Sequence, residues 1–126
     1  MNGDTLLHRQ IHPSWVLPGH VSSQAFKPFP KDRKCLSVHN GDMITAEDAW
    51  RYYTDELGFT SIGVLAVSCD DCADRDLPVE PDPNPHPAHV VIDFTACSNT
   101  QVEKKAKQLT AIAMKRGWQY KADAAP

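Results

Sequence analysis

The chain has 126 residues, 13 lysines and arginines against 16 aspartates and glutamates, and a formal charge of −3. One domain is the ordinary expectation for that length, and it suffices to bury roughly two-thirds of the unfolded surface, so neither disulfide nor metal is needed for a stable core. The mild negative charge argues against a dedicated duplex nucleic-acid binder, and the mean hydropathy of −0.44, with no long apolar run, excludes a membrane-spanning helix.

The opening Met1-Asn2-Gly3-Asp4 offers neither a basic nor an apolar leader, which points to the cytoplasm. The four cysteines are then expected as reduced thiols rather than bridges. A first strand is expected over residues 5–12, with poor alternation, stopped by Pro13. Pro18-Gly19 signals a turn. A second strand should cover residues 20–26 and a third residues 35–38, separated by a basic loop carrying Lys27, Lys31, Arg33 and Lys34. Thr45 and Asp48 stand at capping-box spacing. Ala46, Ala49, Trp50, Tyr53 and Leu57 follow at helical intervals, which predicts a helix over residues 46–57, ended by Gly58, with Trp50 and Tyr53 on its core face.

Residues 61–68 read as a central strand, apolar on both faces. Residues 69–87 read as a long acidic, proline-rich loop with little to bury, expected to be mobile. Residues 89–94 give another strand. Thr100 and Glu103 form a second capping-box pair before a helix striped by Val102, Ala106, Leu109, Ile112 and Ala113 and stopped by Gly117. The sum is an α+β fold: an antiparallel or mixed sheet of about five short strands with two main helices packed on it.

Two clusters carry chemistry. Cys69-Asp70-Asp71-Cys72 and His86-Pro87-Ala88-His89 supply two thiols and two imidazoles, the ligand set of a tetrahedral zinc site. Against zinc, a proline separates the histidines and the aspartates oppose thiolate formation; an acidic loop with incidental cysteines is preferred. A redox role is disfavoured because no helix start is evident beside the pair. The second cluster is Arg9, His12, Ser22 and Ser23, with Ser37 and His39 on the third strand. An arginine fork, imidazoles and hydroxyls suit a small anionic ligand. The competing reading pairs Arg9 with a carboxylate and leaves the serines to turn backbone.

The basic loop and the lysines of the last helix, interleaved with Phe26, Phe29, Trp118 and Tyr120, resemble a single-strand nucleic-acid surface. The acidic stretch would repel phosphate, so a protein partner is favoured over nucleic acid.

Arg9, His12-Pro13, Ser22-Ser23-Gln24-Ala25-Phe26 and Leu36-Ser37-Val38 together resemble a signature shared by a small group of bacterial proteins, one to which no activity attaches. The resemblance implies a bacterial accessory protein. The arginine-then-serine arrangement is also similar to ADP-ribosyltransferases, which implies a nucleotide-handling enzyme using Arg9, His12, Ser22 and Ser23. The expectation is a partner- or ligand-binding module, with that enzyme and a zinc-supported module as alternatives.

Overall fold

A computed structural model describes residues 1–29 and 33–122; Lys31 of the basic loop lies outside them. Leu6–Ile11 forms β1. Pro13–Trp15 makes a 3-10 turn capped by His12, whose ring nitrogen accepts from the Ser14 amide. Val16–Leu17 (β2) and His20–Val21 (β3) pair as a short hairpin separate from the main sheet. The strand expected over residues 20–26 stops at Val21. Ser22 accepts from the Gln24 amide and starts a 3-10 turn at Ser23–Phe26. A hydroxyl bonding to local backbone competes with the ladder.

Cys35–Asn40 forms β4, two residues longer than expected. Thr45 accepts from the Asp48 amide and opens α1, Ala46–Arg51. The helix widens into a π turn at Tyr52–Glu56, in which the Leu57 amide reaches back to the Tyr52 carbonyl. Ala49 is its fully buried residue; Trp50 and Tyr53 are half-buried and Leu57 is exposed. Gly63–Ser68 forms β5, buried at every position.

The long acidic loop is a correction. Ser68 and Asp71 make a reciprocal capping box that starts α2, Cys69–Ala73. Leu77 and Cys72 then enter the core, and Val79–Pro81 pairs with the sheet as β6. His89–Asp93 is β7. The last helix, α3, runs Asn99–Arg116, with Ser98 and Gln101 as its capping box in place of Thr100 and Glu103. It ends at Gly117, whose φ of 95° suits glycine. Tyr120–Lys121 returns as β8.

The fold is α+β. Among the described residues its main sheet has six strands in the order β6-β7-β4-β1-β5-β8, each pairing antiparallel. β5 is therefore next to the edge, yet covered on both faces. The core joins Leu7, Ile11, Leu36, Val38, Leu65, Val67, Val90 and Ile92 to Val102, Leu109 and Ala113 of α3, with Phe26 and Phe94 closing it. Among the described residues no helix is long and apolar enough to cross a membrane.

Candidate functional site

Strand alternation decides what the opposite face of the sheet carries. Leu7 and Ile11 point into the core, so His8 and Gln10 share the other face. Register then aligns histidines across three strands: His8 lies opposite His39, and His39 opposite His89. His86, just before β7, joins them. The His39 ring is 5.3 Å from that of His86 and 6.1 Å from that of His89. The π turn brings Tyr52 over the row, 4.6 Å from His86 and 5.8 Å from His39. Its wider turn sets consecutive residues closer in angle than an α turn does, so Tyr52 and Tyr53 serve one surface.

These side chains enclose a cavity of about 200 Å³, lined by His8, Arg9, Gln10, Ser37, His39, Tyr52, Tyr53, Leu57, Phe59, Pro85, His86 and His89. It opens where the sheet parts. β1 and β4 pair only at Leu7–Asn40 and His8–His39. Beyond that, the Arg9 guanidinium ties the diverging segments, Nε donating to the Ala25 carbonyl at 2.7 Å and Nη1 to the Ser37 carbonyl at 3.0 Å. Its carbon lies 5.5 Å from the Trp15 ring centre, a cation–π contact. At the other end, Gly41 closes on the row. A Cβ there would meet the Leu6 carbonyl at 2.7 Å and His8 Nε2 at 3.0 Å.

The polar inventory of the cavity is unusual. His8 is 5% exposed and Gln10 7%. His8 Nδ1 and both ends of the Gln10 amide have no hydrogen-bond partner among the described residues. Leaving buried polar groups unpaired costs about 1–3 kcal/mol each, so native proteins rarely do it without a use. His39 is 8% exposed. Burial first, then the neighbouring His86, His89 and His8, push its pKa down from 6.5 to about 4. Burial also lowers that of His8. Both rings are therefore neutral near pH 7.

Hydrogen bonds assign the role of Nδ1 in the other two rings. His86 Nδ1 accepts from the Ala88 amide, so its neutral ring carries the proton on Nε2. His89 Nδ1 sits 2.9 Å from the Asp82 carbonyl and 3.4 Å from its carboxylate. A carbonyl can only accept, so Nδ1 donates.

Of the residues expected at a site, Arg9, Ser37 and His39 share this cavity, and His86 and His89 join them. His12 bonds Ser14 and caps its turn. Ser22 and Ser23 lie beside α3 in an open depression with Lys107. β1 is flanked by β4 and β5, not by the segment holding the serines, so Arg9 is not brought beside them by strand pairing.

The cysteine–histidine quartet is not assembled. Cys72 belongs to the hydrophobic core, and burial chiefly pushes its thiol to about 12. Cys69 opens α2, against the expectation that no helix starts there, but burial raises its thiol too. Among the described residues no group of three or more His, Cys, Asp or Glu has metal-holding geometry.

Several expected surface charges are spent internally. Lys27 pairs with Glu103, Lys34 donates to the Cys97 carbonyl, and Arg116 bonds both the Ala66 carbonyl and Asp71. His8, Gln10, Tyr52 and Phe59 escaped the sequence reading, which took Tyr53 only as a core-face residue of the first helix. The available signal was the alternation Leu7, Ile11 against His8, Gln10, which marks two distinct faces. Comparison of the chain with protein-family models, with curated proteins and with solved structures finds no match in any of the three.

Proposed function

We propose that this chain is a small ligand-binding module, and that the cavity over the histidine row takes a single ring-sized molecule. The observation that carries the reading is the pairing of two buried polar groups without partners among the described residues, the Gln10 amide and His8 Nδ1, with a wall of rings. Small-molecule sites combine an apolar lining with a few convergent polar groups. Size supports a compact ligand: an engineered cavity of about 150 Å³ takes one benzene, and this one is about 200 Å³. A larger depression of about 620 Å³, lined by Met1, Cys69 and Val79 among others, is open to solvent and holds no such unpaired groups.

Arg9 then acts as a clamp on the parted strands rather than as the anion receptor first expected. Its bonds to two backbone carbonyls suit that role. The test is a panel of monocyclic and bicyclic aromatic fragments followed by NMR. Shifts should concentrate on the Gln10 side-chain amide, His39 and Tyr52. Failure of every fragment to move those signals at millimolar concentration would remove the reading.

A further inference from the structure

We infer that the ring taken by this cavity is a neutral nitrogen heterocycle with a hydrogen-bond donor and acceptor side by side, the edge of a nucleobase. The inference rests on the ring-binding reading and adds the chemistry of the edge. It starts from Gln10, whose amide holds a donor and an acceptor at fixed spacing with both unpartnered. That is the group that makes two parallel bonds to an amino-azine edge, such as N6 and N7 of adenine. A simple aromatic ring would leave both amide atoms unpaired; a lone hydroxyl would satisfy one of them.

The rest of the lining adds to the pattern. His86 offers a donor at Nε2, because its Nδ1 accepts from the Ala88 amide, and His89 supplies a second imidazole. Both rings line the same cavity. Tyr52, Tyr53 and Phe59 supply the aromatic surface on which a flat heterocycle stacks or packs edge-on. An anion is the weaker fit. His8 and His39 are held neutral, and Arg9 is engaged by two carbonyls. The cavity volume accommodates the base alone, so any sugar or phosphate lies at or beyond the opening.

The experiment compares ligands on the unaltered protein by calorimetry, with NMR to locate them. Adenine and cytosine carry the edge; indole has a donor without the adjacent acceptor, and 9-methylpurine has acceptors without a donor. The expected result is binding of adenine or cytosine at least roughly ten-fold tighter than indole and 9-methylpurine, from the discrimination of one bidentate pair. Gln10→Leu should abolish that preference while indole binding persists. Adenosine and adenosine monophosphate serve as further arms. Affinity equal to adenine assigns the free base as the recognised unit, and tighter binding assigns the nucleoside or nucleotide. If indole shifts the cavity signals and binds as tightly as adenine, the edge inference is overturned while ring binding stands. If no ring binds at the cavity, both fall.

Discussion

His39 should make the protein acid-sensitive well above the range in which carboxylates titrate. Its ring is packed by Tyr52, His86 and His89. Burial, then those histidines and His8, lower its pKa from 6.5 to about 4. The unfolded chain therefore takes up the proton near 6.5, while the folded chain resists it until about 4. Stability is complete above pH 6.5 and drains as pH falls through that window. At 1.36 kcal/mol per unit the whole shift is worth at most roughly 3 kcal/mol, less whatever solvent at the cavity opening screens. That is a large share of the 5–15 kcal/mol typical of a domain. His8 adds in the same direction. Asp71, whose burial is outweighed by bonds from Ser68 and Arg116, and Asp93, bonded by Thr95, are held below 3.8 and act only beneath the window. The assay is urea unfolding followed by tryptophan fluorescence, in half-unit steps from about pH 7.5 to about pH 4. The wild type should lose stability with a slope approaching about 1.4 kcal/mol per pH unit for each depressed histidine, and His39→Gln should flatten the curve to what His8 leaves. A level wild-type profile, or an undiminished slope in His39→Gln, would refute the assignment.

Gln10→Leu should stabilise the free protein by about 1–3 kcal/mol, because it replaces an unpaired buried amide with an apolar group of similar size; a loss of stability in urea titration would mean that the amide is satisfied. Ser98→Ala should cost about 0.5–2 kcal/mol and Thr100→Ala no more than a few tenths, which tests where α3 starts. Trp50→Ala should cost about 2–4 kcal/mol, below the fully buried figure because Trp50 is half-buried, and Trp50→Phe about 1 kcal/mol for the lost bond to the Ser61 carbonyl. Limited proteolysis should spare residues 69–81, held by α2, Leu77 and β6, in contrast to the mobility expected from composition; early cleavage inside α2 would contradict that.

The strongly patterned parts of the fold were legible. β5, β7 and α3 fall close to where periodicity places them, because burial of one or both faces dictates their composition. The misses have local causes. Residues 69–81 look like loop by composition, yet one capping box and one buried leucine order them. The cue was present: Ser68 and Asp71 stand at the same spacing as Thr45 and Asp48, which were read as a helix start. Ser22 played the opposite part, drawing the chain into a 3-10 turn where a strand was expected. β6 and β8 are too short to leave a periodic trace and exist by pairing alone.

The site was half legible for a deeper reason. Arg9, Ser37, His39, His86 and His89 were all singled out, but in two separate clusters, since sequence gives residue type and not register. Register is what unites them: opposite His8 stands His39, and opposite His39 stands His89. The poor alternation of β1 was itself the sign. A strand with a solvent face is free to carry lysine or glutamate there, whereas a strand whose polar face is roofed by a helix must keep it neutral. His8 and Gln10 are neutral polar residues on such a face, under α1 and its π turn. Full burial would favour apolar residues at both positions. Polarity retained under a roof, at groups that have no hydrogen-bond partner among the described residues, is what the proposed ligand would satisfy.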